Sequence, residues 1–579
     1  MPQHPMMVNT TSSAEHYGGP GSPAPNSLWQ WFTEAESFRE ASNAFAPALC
    51  ALHQPGDHLS GLLSAGHLAQ PKGHFKWTFS EFLTATESLA ALWGLAGVQK
   101  GDSVFTFVTN SAEWALFFWT SMRMGTIFVP LDPNTVKRKD EITNLIKMLR
   151  PTVVLAQDSE TAALYDGHSR GEDSARFKVF GQGGFHRGWK HLASLKREPG
   201  LQAPPVAIAD DPDTAICLIM FTSGTTNLPK GCPISVSGMA AQIGQYHHSI
   251  EPTSWTPEAR MLINTNNFRP ICYLACMNAW KAGGSVIFPS VTFSPTTSLD
   301  ALREEGCTHT WFVPAQLNMI SSLPVREEKK PFTIKVVITS GDLADEALLH
   351  KAKDVLRPMK VLPSWGMSEC APLMGYRSDE PAPRYRSGLS GVGRALLGTY
   401  VKVAETGTET ATRKGEHGDL HVSSQAMIRS YLRNVKPEDF YDDPEGKRWF
   451  KTGDVAMMED DGVVFVVGRT KDVIKCKGFG IVPSIMERCL DDSSRVESKV
   501  FGMDHGVYGA IPVAVVDQLP PKQGVKDAMK AKLLDYLGSE YLLGDVYELK
   551  DLDMDEWPRN SSDKILKSSL HEKVVSMSK

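Results

Sequence analysis

The stretch Phe221 to Gly231, FTSGTTNLPKG, follows the apolar run Ala215 to Met220, AICLIM. An apolar run of that length, bounded by turn residues, predicts a buried strand. The Thr, Ser and Gly residues beyond it offer backbone N–H groups, hydroxyl donors and positive-φ freedom, a combination able to wrap a polyanion. Lys230 adds a point charge. The pattern around this stretch alternates strand and helix. SVFTFVTN (Ser103 to Asn110) reads as a strand, SAEWALFFWTSMRMG as a helix that stops at Gly125, and TIFVPL as a strand again. DEITNLIKMLR and TVVLA continue the rhythm, which returns around KAGGSVIFP, THTWFVP, IKVVITSGD and KVLPSWG. Such alternation predicts an α/β fold of mostly parallel sheets covered by helices. Ligands in open α/β sheets lie beyond the carboxyl ends of strands. The loops after Met220, Ser340 and Ser364 are therefore the candidate site.

Between about residues 388 and 468 the pattern shifts to short strands, with a hairpin signature at Asp460-Asp461-Gly462. This reads as a small β-barrel-like subdomain. A small α+β unit follows, with helices expected at 483–490 and near 525–537 and strands at SKVFGM and AIPVAVVD. The expected organisation is a disordered tail over 1–28, a large N-terminal domain over 29–468 and a small C-terminal domain over 469–579. The tail assignment rests on its Pro, Gly, Ser and Asn content and its lack of an apolar signal-peptide core. Trp114 to Leu131 is apolar but contains Arg123, Gly125 and Pro130, so it reads as helix, turn and strand, not as a membrane span. The cytoplasm is the expected location. A formal charge of −6 argues against a general nucleic-acid binder. The nine cysteines form no CxxC pair and read as small buried hydrophobes.

Gly224 and Lys230 have the spacing of a Walker P-loop, but Pro229 replaces its second glycine and Gly231 its magnesium-binding hydroxyl. TSGTTNLPKG instead resembles TSGTTGxPKG, the phosphate loop of the adenylate-forming superfamily: acyl- and aryl-CoA ligases, peptide-synthetase adenylation domains and beetle luciferases. Asn227 stands at one usual glycine, a mild departure because Asn tolerates left-handed backbone. Further motifs follow in the family's order. SWGMSE (Ser364 to Glu369) resembles YGxTE, KTGDV (Lys451 to Val455) the TGD motif, and GRTKDVIKCKGFGI (Gly468 to Ile481) the hinge motif GRxKDxIKxxGxxI, with Glu487 beyond it. PRNSSDKILK (Pro558 to Lys567) resembles the terminal PxTxSGK element, with Asp563 where Gly is usual, and GVGRALLG (Gly391 to Gly398) loosely matches the linker motif. The resemblance covers about residues 30 to 570.

The resemblance implies a large N-terminal domain, a small mobile C-terminal domain and an AMP-forming acid–thiol ligase using ATP, Mg2+ and coenzyme A. It implies that Thr222, Ser223, Gly224, Thr225 and Thr226 enclose the β- and γ-phosphates, with Lys230 beside them. Glu369 is the implied magnesium ligand, a hard oxygen for a hard cation, and Ser368 meets the α-phosphate. Trp365, with Gly366 after it, offers a flat face to adenine, and Gly341 of Ser340-Gly341-Asp342 lies near the same base. Asp454 accepts the ribose hydroxyls, helped by Arg469. Lys564 is the implied catalytic cation, acting with Thr225 and Glu369. Lys471 marks the hinge about which the C-terminal domain turns, bringing Lys475, Lys477 and Gly478 to the site for thioester formation.

The implied reaction converts a carboxylic acid to an acyl-adenylate, releases pyrophosphate, and transfers the acyl group to the thiol of coenzyme A. A separate carrier protein with a pantetheine thiol is the alternative acceptor. An inactive nucleotide-binding homologue is a further alternative, motivated by Asn227 and Asp563. Phe268, Arg269 and Met367 are candidate acyl-pocket residues, with Cys272, Trp280, Trp311 and Ala371 as further apolar candidates. Ile263 to Trp280 contains no carboxylate to pair with an ammonium group, so an α-amino acid is disfavoured. An aryl, medium-chain or polyketide-like acid fits the composition. Arg269 has two readings: a contact to a substrate carboxylate or phosphate, and a structural ion pair.

Overall fold

The structure is a computed structural model, and it describes residues 13–63, 73–169, 175–222, 229–245, 247, 255–323, 330–370, 372–377, 380, 383–386, 389–477, 479–494, 496–519, 524–538, 541–559 and 565–577. Two α/β sheets form the larger part. A seven-stranded sheet runs in the order Lys230–Ser235, Ile216–Thr222, Ile127–Pro130, Ser103–Phe107, Val153–Asp158, Phe177–Gln182, Lys190–His191. It is parallel except for Lys230–Ser235, which returns antiparallel on Ile216–Thr222. A nine-stranded sheet has the parallel neighbours Lys360–Trp365, Val336–Thr339, His309–Phe312, Arg260–Ile263, Ser285–Phe288 and Pro47–Pro55 at its centre, with antiparallel strands at both margins. The βαβ rhythm read from the sequence is thus the architecture observed.

The most apolar stretch explains how the two sheets are joined. The helix Ala112–Met124 begins at Ser111, whose side chain accepts from the Trp114 N–H, and ends at Gly125 with φ +63°. A Cβ at Gly125 would lie 2.6 Å from that of Ala207, so glycine is required there for both conformation and space. All of its residues are buried. The Trp114 ring lies 6.0 Å from Phe128 of one sheet and 6.3 Å from Phe288 of the other. A helix that is apolar all round is here a core helix between two sheets. Among the described residues no helix is long and apolar enough to cross a membrane.

That helix also carries a buried carboxylate. Glu113 Oε1 is 2.7 Å from His58 Nε2, and its Oε2 accepts from Gln54 Nε2 at 2.7 Å. Burial alone would raise the Glu113 pKa, but the His58 hydrogen bond and charge, and then Gln54, hold it well below the usual carboxylate range. Burial likewise opposes the His58 charge, and the Glu113 bond outweighs it, so that pKa is raised. The pair's contribution is lost as pH falls below the ordinary Glu value of 4.5, and lost again as pH rises through the raised His58 value. Removing one partner of a buried pair is expensive. Glu113→Ala is expected to lower unfolding free energy by about 3–5 kcal/mol at neutral pH, read as a lower denaturant midpoint. An unchanged midpoint contradicts the assignment.

The third sheet is antiparallel. Its order is Glu15–Tyr17, Thr399–Ala404, His417–Ser424, Arg448–Met458, Phe440–Asp442, with Val464–Arg469 also on Arg448–Met458. The Asp460-Asp461-Gly462 turn joins the Arg448–Met458 and Val464–Arg469 strands, as its sequence suggests. Glu15–Tyr17 corrects one expectation, because residues 13–28 are ordered and not a disordered tail. Glu15–Tyr17 pairs with Tyr400–Lys402, Tyr17 stacks on Tyr400 at 4.1 Å, and Ser27 caps the helix Leu28–Thr33. Composition records too little apolar surface for independent folding, but an open strand edge supplies backbone hydrogen bonds that composition does not record.

A five-stranded sheet closes the chain: Phe479–Ile481, Ile474–Cys476, Gly509–Val516 and Ser498–His505, with Val546–Glu548 parallel to Gly509–Val516. Helices Pro483–Ser494 and Val525–Leu537 pack on it around Val500, Ala514, Val516 and Leu533. This sheet meets the third one where Val482 packs with Val467, Phe465 and Leu389. The nine cysteines are free thiols, seven of them buried. Burial raises the pKa of Cys50 to about 11 and of Cys217 to about 12.

Candidate active site

The hydroxyl-rich stretch lies, along the chain, between the strands Ile216–Thr222 and Lys230–Ser235, where Thr222 pairs antiparallel with Lys230. Thr222 Oγ1 is buried without a hydrogen-bond partner in the structure, although buried hydroxyls ordinarily have one. Ser223, Gly224, Thr225 and Thr226 lie outside the described residues. Lys230, at the far end of that stretch, donates to the Tyr431 hydroxyl at 2.8 Å, and its Nζ is 3.9 Å from Asp439 Oδ2.

The loops after Ser340 and Ser364 leave adjacent parallel strands, since Thr339 pairs with Pro363. Gly341 has φ +94°, and a Cβ there would approach Val313 Cγ1 at 3.3 Å. Ser340 Oγ before it accepts from the Trp311 indole N–H at 2.8 Å. After Trp365 and Gly366 the chain turns, closed by the Cys370 N–H on the Met367 carbonyl at 3.2 Å, and this turn carries Ser368 to Glu369. Glu369 is 5% exposed. Its backbone carbonyl accepts from Ile428 N at 2.8 Å, and its Oε1 accepts from the Tyr431 hydroxyl at 2.6 Å. A chain Lys230–Tyr431–Glu369 therefore connects the hydroxyl-rich hairpin to the SWGMSE turn. Tyr431 is absent from the residues read from the sequence. An aromatic residue in the polar loop MIRSYLRN carries no signal of its own without its neighbours in space.

Asp454 anchors the opposite side. It is buried on Arg448–Met458, with Oδ1 3.0 Å from Arg469 Nε and Oδ2 accepting from the Trp365 indole N–H at 3.0 Å. Its strand pairing places Arg469 directly across from it. Trp365 is 8% exposed, and its N–H is committed to Asp454. The structure thus brings Lys230, Glu369, Trp365, Asp454 and Arg469 together from four separate motifs.

Lys471 is exposed on the short 3-10 turn Thr470–Asp472, next to a bond from Thr470 Oγ1 to Asp419 Oδ1 at 3.0 Å. Lys475 is exposed on Ile474–Cys476. Lys477 has φ +52°, donates its N–H to the Tyr508 carbonyl at 3.0 Å, and places its ammonium 4.8 Å from the Tyr508 ring. Gly478, Lys564 and Ala371 lie outside the described residues. Arg559 pairs with Ile565, and Leu566 N donates to the Pro558 carbonyl at 2.7 Å, so both flanks of the Lys564 loop are fixed to each other.

Of the pocket candidates, Phe268 and Met367 are half-buried. Arg269 precedes the helix Pro270–Lys281, with its guanidinium 5.6 Å from the Phe268 ring, and burial lowers its pKa against the opposing charge of Asp132. Cys272 and Trp280 are core residues, both fully buried, and the Trp280 N–H is committed to the Ala48 carbonyl at 2.9 Å. Helical spacing alone does not tell a pocket face from a core face.

The family model described as "AMP-binding enzyme" matches residues 63–432. An acyl-CoA ligase of Pestalotiopsis microspora is 28% identical over 554 residues, spanning 92% of this chain and 93% of that protein. The acyl-CoA ligase sidI of Aspergillus fumigatus is 25% identical, spanning 75% of each. The crystal structure of ATP-bound MatB from Rhodopseudomonas palustris, 20% identical, superposes with a TM-score of 0.75 over 95% of this chain and 100% of that one, a likeness of fold. With the family model spanning well over half of its length, the chain belongs to the AMP-binding enzyme family.

Proposed function

We propose that this protein is an AMP-forming acid–thiol ligase acting on an aryl, medium-chain or polyketide-like carboxylic acid. An acid carboxylate oxygen attacks the α-phosphorus of ATP, the bond to pyrophosphate breaks, and an acyl-adenylate remains. The thiol of coenzyme A then attacks the acyl carbonyl and AMP departs. A carboxylate alone is a poor acyl donor because its leaving group is oxide, whereas AMP leaves readily. The observation that carries this reading is the convergence of Lys230 and Glu369 on one hydroxyl, with Trp365, four residues before Glu369, bonded to the Asp454 carboxylate that Arg469 also holds.

In this reading Thr222, Ser223, Gly224, Thr225, Thr226 and Lys230 position the phosphates, and Ser368 meets the α-phosphate. Asp454 and Arg469 hold the ribose, while Gly341, Trp365 and Gly366 border the base. Magnesium fits at Glu369 as a cation with one protein oxygen, since this buried carboxylate offers a hard anionic oxygen. That suits an ion that prefers phosphate and water oxygens for most of its shell. When bound, it neutralises phosphate charge. Lys564 meets the charge that builds between carboxylate and α-phosphorus.

ATP–pyrophosphate exchange across a carboxylic acid library, repeated with coenzyme A and mass detection of the thioester, tests the proposal. Exchange with a definite acid and a matching CoA thioester is expected. Absence of exchange with every acid refutes it. Phe268, Arg269 and Met367 border the acid in this reading.

The boundary between 29–468 and 469–579 supplies the second half-reaction, with Lys471 as hinge and Lys475, Lys477 and Gly478 entering for thioester formation. Proline fixes φ near −65° and removes an N–H. Lys471→Pro is expected to slow thioester formation at least about 10-fold more than adenylation. Single-turnover measurement of both half-reactions checks this, and equal losses contradict it.

A further inference from the structure

Tyr431 belongs to none of the motifs that suggested the activity, yet its hydroxyl joins the two charged groups on which the triphosphate reading depends. The hydroxyl has one proton to donate and lone pairs to accept with. Its proton goes to Glu369 Oε1 at 2.6 Å, and a lone pair accepts from Lys230 Nζ at 2.8 Å. Both bonds involve an ionised partner, which makes them strong and geometrically demanding. Each bond also polarises the other: the ammonium makes the hydroxyl a better donor to the carboxylate.

The ring is held independently of these bonds. Tyr431 is 2% exposed and packs against Phe440 at 5.7 Å and Phe450 at 6.5 Å. The Ile428 N–H bond to the Glu369 carbonyl at 2.8 Å ties the same loop to the SWGMSE turn. Lys230 and Glu369 are 139 positions apart in the chain, one on the seven-stranded sheet and the other in a turn beyond a strand of the nine-stranded sheet, so nothing local fixes their spacing. A direct ion pair would commit each charge to the other. A neutral hydroxyl between them fixes the distance without pairing the two charges directly, and the only carboxylate the structure sets beside Lys230 among the described residues is Asp439, at 3.9 Å.

We propose that Tyr431 is a positioning residue for magnesium-triphosphate: its hydroxyl sets Lys230 and Glu369 in register, so that these two charged groups grip one polyphosphate together. The proposal rests on the adenylation reading above and extends it to a selectivity between nucleotides. AMP lacks the β- and γ-phosphates, and its grip comes from the Asp454 side. The Tyr431 hydroxyl therefore matters for MgATP and not for AMP.

The test is Tyr431→Phe, which retains the ring packing and removes the oxygen. Equilibrium dissociation constants for MgATP and for AMP are measured by calorimetry on the full chain, without turnover. The expected result is a rise of about 10-fold or more in the MgATP constant, with the AMP constant changed by less than about two-fold. Lys230→Met and the Tyr431→Phe/Lys230→Met double variant complete a cycle. Because Tyr431 acts through Lys230, the double variant is expected to bind MgATP no worse than Lys230→Met alone. Equal weakening for both nucleotides, unchanged MgATP binding, or additive losses in the cycle each overturn the inference. Wild-type protein that binds neither nucleotide overturns the adenylation reading and this inference with it. The wild-type constants thus judge the first and the variant ratios the second.

Discussion

Lys564→Ala is expected to slow acid-dependent pyrophosphate exchange by about 10²-fold or more, the scale for removing one preorganised charge donor from a site where charge develops. As the carboxylate oxygen approaches the α-phosphorus, two anionic groups come together, and one fixed ammonium favours that arrangement over the separated reactants. The flanks of its loop are built to hold such a group in place. Arg559 pairs with Ile565, and Leu566 N bonds to the Pro558 carbonyl. Lys567, at the start of the last helix, places its ammonium 2.5 Å from Glu487 Oε1 and 3.2 Å from the Val500 carbonyl. Glu487 Oε1 in turn accepts from the Val500 N–H at 2.7 Å. The loop thus issues from a braced corner of the C-terminal sheet. The variant is expected to retain thioester formation from a chemically supplied acyl-adenylate, because in the proposed reading that step draws on Lys475, Lys477 and Gly478 instead. Exchange at near wild-type rate contradicts the role of Lys564.

Asp454→Ala is expected to weaken AMP and MgATP alike, by about 10²- to 10⁴-fold, since in the proposed reading two hydrogen bonds from ribose hydroxyls to its carboxylate are lost at about 1.5–3 kcal/mol each. This uniform loss is the opposite signature to that expected of Tyr431→Phe. The carboxylate is gripped on both oxygens, by Arg469 Nε and by the Trp365 indole, and its own N–H is held by Thr452 Oγ1 at 3.0 Å. Such a group is oriented before any ligand arrives, so little ordering remains to be done on binding. Asp454→Asn keeps shape while removing charge and exchanging one acceptor for a donor, and an intermediate loss is expected. Calorimetric titration with AMP measures both variants. Binding unchanged in Asp454→Ala shows that the ribose is held elsewhere.

Much of the site was legible because its parts are local. A hydroxyl-rich stretch after an apolar strand and a carboxylate after a second strand each declare themselves within a dozen residues, whereas Asp454 and Arg469, 15 positions apart, stand out only through the family resemblance. The helix at Ala112–Met124 was equally readable, from its Ser111 start and Gly125 stop. Trp280 was not: its helical spacing is the same whether it faces a ligand or a core, and it faces the core. Residues 13–28 misled for a related reason, since a strand added to an existing edge needs backbone and little apolar content.

By itself, then, the sequence determined the α/β order, the strand ends and the chemical groups placed on them, because hydrophobic period and turn chemistry act over a few residues. The tertiary structure decided which of those groups meet. Tyr431 lies 201 positions from Lys230 and 62 from Glu369, and no local pattern encodes such a bridge. It exists because sheets that pack together fix distances between residues whose separation along the chain carries no information about space.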